Sequence, residues 1–201
     1  MFINIKNKKD LNRFYKLLRI YRTFIFKFTK FEIENDKYNV KPIVDALNIK
    51  SRKKRLEYII DVACDEVDQY YRGIDLCEFK NCQCKSQWLN NSKRINGCCG
   101  LCVYQSNKGC TTKNLACKLF VCGIGRKKCK PLKFNDIKIL KLLNMRQRII
   151  LQTDYFSTEK QVLYDLYTGT LIIGSLRMFF RFIINTIILI KEKKYEQKGK
   201  K

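Results

Sequence analysis

CEFKNCQCKSQWLNNSKRINGCCGLCVYQSNKGCTTKNLACKLFVCGIGRKKC, residues 77–129, carries ten of the chain's eleven cysteines, in a protein without a single histidine. The order is Cys77, Cys82 and Cys84, then the adjacent Cys98 and Cys99, then Cys102, Cys110, Cys117, Cys122 and Cys129. Glycines at 97, 100, 109, 123 and 125 lie among them, as suits loops that turn sharply around a thiolate site. Such a loop-rich segment buries too little apolar surface to fold alone, and metal–thiolate bonds would staple it. The expected fold is therefore mainly α, a helical body with an irregular cysteine-rich metal-binding module, residues 73–131, inserted in its middle. Little regular structure is expected inside the module.

On either side the apolar residues recur with helical spacing. Leu11, Phe14, Tyr15, Leu18, Tyr21, Ile25 and Phe28 mark a basic amphipathic helix from Asp10 to about Thr29, with Asp10 as its cap. Residues 30–41 read as a connection. Pro42 opens a short helix through Ile49, since proline is tolerated in a first turn. A longer helix runs from about Ser51 to Tyr71 and ends before Gly73. Its Glu57, Asp61, Asp65 and Asp68 form a carboxylate stripe, which without histidine reads as a solvated face or one meeting the basic first helix. Cys64, on the same helix but outside the cluster, reads as a small buried thiol.

Beyond the module, helical periodicity returns at 135–152 and again from Thr158 to Tyr167, where Thr158 and Gln161 match a capping box and Gly169 a stop. The domain plan is thus 1–72 for the N-terminal helices, 73–131 for the module, 132–190 for C-terminal helices packing on the N-terminal ones, and 191–201 as a disordered basic tail. The stretch from Leu171 to Ile190 is long enough to span a bilayer, but Arg177 and Arg181 each cost about 2.5–3.5 kcal/mol there and cancel its apolar gain. Thr170, Gly174, Arg177, Arg181 and Asn185 align on one stripe, so the expectation is a helix packed in the core, or lying on a membrane, with one polar seam.

Charge bounds the partners. The formal net charge is +24, from 42 basic and 18 acidic residues. Eight thiolates on two divalent ions would lower it to about +20, still strongly basic. Nucleic acid, an anionic lipid surface or an acidic partner suits that sign. In the module Lys85, Lys93, Arg94, Arg126, Lys127 and Lys128 could meet phosphates, and Trp88 could stack on an unpaired base. No export signal is visible, so a reducing cytoplasm is the expected compartment, with peripheral membrane contact through the last helix and the tail as an addition.

The run Gly97-Cys98-Cys99-Gly100-Leu101-Cys102, then Lys108-Gly109-Cys110, then Ala116-Cys117-Lys118-Leu119-Phe120-Val121-Cys122, resembles the bacterial cysteine-cluster proteins of the zinc- or iron-chelating domain type. The likeness covers about 40 residues, and Cys98, Cys99, Cys110 and Cys117 carry it. The chain departs from the pattern in having Leu115-Ala116 where that family has Arg-Pro before its last cysteine, and in its spacing around Cys82 and Cys84. The resemblance implies metal chelation and no reaction. Zinc is the first choice of metal, with iron or an iron–sulfur cluster the alternative. No Gly-rich phosphate loop is present. The readings are a non-catalytic chelating protein, a zinc-stapled nucleic-acid-binding protein, and an iron–sulfur redox protein.

Overall fold

The computed structural model describes residues 1–78, 84–85, 105–106, 109–110, 114–155 and 157–169, together with 172, 175–177, 179–180, 182–184, 186–187 and 190–191. Within them the protein is mainly helical.

The chain opens with a strand the sequence reading missed. β1 (Phe2–Asn4) pairs in parallel with β2 (Glu32–Asn35), Ile3 opposite Ile33. Ile3 and Ile5 are buried between exposed neighbours. That period of two was the available signal, and it is short. Between the strands lies α1 (Lys8–Thr23), capped by Asn7 rather than Asp10. Asn7 Oδ1 accepts the Asp10 amide at 3.0 Å, while Asp10 Oδ2 accepts the Lys6 amide at 3.1 Å. Asp10 thus serves from inside the first turn, where its charge also suits the helix dipole. α1 stops six residues short of the expected end, passing through Phe24 into a 3₁₀ turn at 25–27.

α2 (Lys41–Asn48) and α3 (Arg52–Tyr70) fall where the periodicity placed them, with Pro42 in the first turn of one and Ser51 capping the other. Asn48 locks α2 to the entry of β2: its Oδ1 accepts the Phe31 amide and its Nδ2 donates to the Phe31 carbonyl, both at 2.8 Å. α3 is the spine of the core. Its buried Ile59, Ile60, Ala63 and Val67 lie in one cluster with Ile43 and Leu47 of α2 and with Ile139, Leu140 and Leu166. Burying each such side chain contributes about 1.5–3 kcal/mol before the ordering entropy is counted.

Two short strands, β3 (Gln105–Ser106) and β4 (Gly109–Cys110), pair antiparallel, and two short helices follow, α4 (Leu115–Leu119) and α5 (Gly123–Arg126). The expected helix over 135–152 is broken into 3₁₀ turns at 134–136 and 138–142 followed by α6 (Met145–Thr153). The reason is apolar density. Ile137, Ile139, Leu140, Leu142 and Leu143 are all buried, more than one helix face can present, and 138–142 packs against α1, α2 and α3 together. Asn144 then caps α6 in a capping box with Gln147. α7 (Glu159–Thr168) agrees with expectation, with Thr158 and Gln161 in a capping box and Gly169 left-handed at φ 70°. It packs on α3 and α6.

The described residues between 172 and 191 are helical. Among the described residues no helix is long and apolar enough to cross a membrane. Of the two expected placements, burial in the core does not fit the described residues. Ile172 is 72 % exposed, and Leu176, Phe179, Phe180, Phe182, Ile184 and Ile187 are exposed too, so these described side chains lie outside the core. Its polar Arg177 faces the body, where Asp165 of α7 takes it.

Candidate metal centre

The two arms of the cysteine module return to one place. Tyr70 Oη donates to the Lys130 carbonyl at 2.9 Å, and Tyr71 Oη accepts the Leu132 amide at 2.9 Å. The arm leaving α3 is thereby tied to the arm entering 132. Just beyond, the Lys85 amide donates to the Cys77 carbonyl at 2.8 Å, which sets Cys84 and Lys85 beside Cys77. Facing them, α5 is a single turn between Cys122, its cap residue, and Cys129, whose amide reaches the Gly125 carbonyl at 3.3 Å. Gly125 touches the first arm: a Cβ there would lie 3.6 Å from the Leu76 carbonyl oxygen and 2.7 Å from Val121 Cγ1. Cys77 and Cys84, like Cys122 and Cys129, are seven positions apart, a spacing repeated on both arms that the sequence reading did not exploit.

Glu78 braces this knot. It is the one acid among eleven bases between 77 and 130, and it pairs with Lys128 at 2.6 Å and with Lys85 at 2.7 Å. Its amide donates to Asp75 Oδ1 at 2.8 Å, and Lys128 also donates to the Asp75 carbonyl. The hydrogen bonds from Lys128 and then Lys85 hold the Glu78 carboxyl down to about 2. Lys85 and Lys128, expected at a phosphate interface, are thus engaged across the knot. Arg126 Nε donates to the Val121 carbonyl at 2.9 Å, and Lys127 is exposed.

The remaining described cysteines lie on other elements. Cys117 lies on α4, whose Lys118 reaches Asp68 of α3. Cys110 is opposite Gln105 in the β3–β4 ladder. Cys64 is half-buried in α3, and burial pushes its thiol up to about 12, with Lys118 pulling the other way and Glu159, Asp68 and Asp61 adding to the rise. A thiol so resistant to ionisation is a poor metal ligand, which agrees with its reading as a packing residue. Cys82, Cys98, Cys99, Cys102, Trp88, Lys93 and Arg94, and the tail from 192 on, lie outside the described residues. Among the described residues no three Cys, Asp or Glu side chains converge closely enough to hold an ion. What is observed is a shared backbone knot bearing four cysteines, two lysines and one carboxylate.

Comparison with family models, curated proteins and solved structures finds no match.

α4 anchors the module to the body. Its cap residue Asn114 is buried, accepts the Ala116 amide at 2.8 Å, and donates from Nδ2 to the carbonyls of Asp154, at 2.6 Å, and Ser157, at 3.1 Å. The same 154–157 turn carries the carboxyl of Asp154, to which Ser157 Oγ donates. No sequence signal marked this joint.

Proposed function

We propose that the protein chelates zinc through cysteine thiolates and has no catalysis of its own, with iron or an iron–sulfur cluster as the alternative occupant. The observation that carries this reading is the meeting of the two arms, which sets Cys77 and Cys84 against the turn between Cys122 and Cys129. Thiolates are the ligand type for either metal. The test is elemental analysis and an absorption spectrum on protein purified anaerobically without added metal. Zinc without visible colour supports the first form, and iron with sulfide and a brown solution the second. Cys77→Ser and Cys122→Ser should each lower the bound metal, and protein that binds none while all its thiols react would sink the reading.

A second reading rests on the segment from 172 to 190. An exposed row of Ile, Leu and Phe precedes a lysine-rich tail, a pairing suited to peripheral binding on an anionic bilayer. Binding to phosphatidylglycerol vesicles should fall sharply with Phe179→Ser and Phe180→Ser together and stay nearly unchanged with Cys64→Ala. Equal binding by both variants would argue against it.

A further inference from the structure

The first turn of α3 reads Arg52-Lys53-Lys54-Arg55 and contains no acid. Cations at a helix N-terminus oppose the dipole and the unsatisfied amides there, so this run weakens the helix when nothing else is bound. α6 also begins without an acid in its first turn. Both helices start at one cavity of about 410 Å³, which the end of α1 closes with Arg22 and Thr23. None of the residues lining it is acidic.

The polar part of the lining consists of donors, beside Leu56, Ile59, Leu142 and Leu143. Arg22 donates from Nη1 to the Leu142 carbonyl at 2.7 Å, which aligns the guanidinium along the wall. Asn144 and Gln147 spend their side-chain oxygens on the capping box, accepting each other's backbone amides at 2.8 and 3.0 Å. That leaves each amide its NH₂ group as donor, beside the oxygen's second lone pair. Burial, followed by Arg19 and Arg148, lowers the Arg22 guanidinium's proton affinity, and burial followed by Arg52 and Arg22 lowers that of Arg55. The guanidiniums repel one another across a partly dry space, which is a cost to the bare fold.

We propose that this cavity, framed by Arg22, Arg52 and Arg55 with the amides of Asn144 and Gln147, binds a small multiply charged phosphate anion. Guanidinium forks match phosphate oxygens in pairs, and the first turns of α3 and α6 both border the cavity. A free phosphate ester and a phospholipid headgroup present the same chemistry. This site is separate from the cysteine module and does not depend on the metal reading.

The experiment is calorimetric titration of the full chain with inorganic pyrophosphate at constant ionic strength, repeated with Arg52→Gln, Arg55→Gln and, as a charge-matched control away from the cavity, Lys160→Gln. Saturable one-to-one binding is expected, weakened about tenfold or more by either arginine substitution, the loss of a charge-assisted contact, and unchanged by Lys160→Gln. Arg52 is exposed, so its variant tests the site without disturbing the core. Vesicles containing phosphatidic acid form the second arm. Vesicle binding that pyrophosphate displaces and Arg52→Gln weakens assigns the cavity to a headgroup, whereas pyrophosphate binding alone assigns it to a soluble phosphate. The proposal falls if neither probe binds in a manner that Arg52→Gln and Arg55→Gln weaken, or if Lys160→Gln weakens binding equally.

Discussion

Arg177 clasps Asp165 with two hydrogen bonds, Nη1 to Oδ2 at 2.8 Å and Nη2 to Oδ1 at 3.1 Å, and the aspartate it holds is fully buried. The arginine that argues against a membrane span thus has an internal partner, and this bond attaches the C-terminal helical segment to the body. Arg177 also lies 3.8 Å from Asp154 Oδ2. One cation therefore serves two buried carboxyls.

Removing Arg177 should be expensive. Arg177→Met strands a buried carboxylate, and breaking a buried pair from one side costs about 3–5 kcal/mol. Urea unfolding checks the size of the loss, and limited proteolysis should show earlier cleavage after residue 170 in the variant. Stability within about 0.5 kcal/mol of the parent, the range of a neutral surface substitution, would refute the clasp.

Asp154 makes stability depend on pH in an unusual direction. Burial raises its carboxyl to about 6, the Ser157 hydrogen bond lowers it, and the hydrogen bond and charge of Asp165 raise it. An acid with a raised folded-state pKa stabilises fully below its unfolded value near 4, and that contribution is lost as pH rises through about 6. Asp154→Asn preserves the shape of the protonated acid and should lack this decline. Urea midpoints of parent and variant from pH 4 to 7.5 should diverge with rising pH, and parallel curves would refute it.

Gly125 is required by contact rather than by backbone conformation. A methyl group there would meet Val121 Cγ1 at 2.7 Å, and Val121 is buried and β-branched, so it cannot swing aside. Gly125→Ala should cost about 1–3 kcal/mol and shift Cys122 and Cys129 relative to Cys77, lowering bound metal. Gly123→Ala, where a Cβ meets nothing within 4 Å, is the control. Equal metal content in both variants would break the link between Gly125 and the centre.

Cys64 should stand apart chemically. With its thiol pushed up to about 12, it should resist a thiol reagent at pH 8 in the folded protein and react only on unfolding. Cys64→Ala should leave metal stoichiometry unchanged. Rapid labelling of Cys64 in folded protein, followed by mass spectrometry, would contradict its environment.

Features that depend on near neighbours were readable in the residues alone. Ser51 before α3, the Thr158–Gln161 box and Gly169 are caps made within four residues, and the mainly helical class follows from apolar spacing. The density of cysteine and the lack of histidine likewise set the expected chemistry. Periodicity says that a face is covered without saying by what, and its failures follow from that. The strand at Phe2–Asn4 exists through β2, thirty residues on, and the 138–142 segment abandons the α-helix because three helices bury it at once.

The candidate site divides in the same way. The abundance of cysteine was legible, whereas the meeting of Leu76 with Gly125, the Glu78 brace, the Asn114 joint and the arginine-lined cavity were not, because each joins residues far apart in the chain. The C-terminal segment is the clearest case. Its sequence suggests an amphipathic helix with a polar seam; only the buried Asp165 of α7 decided that Arg177 turns inward while the described Ile, Leu and Phe side chains beside it are exposed, since a buried charge must go where its partner is.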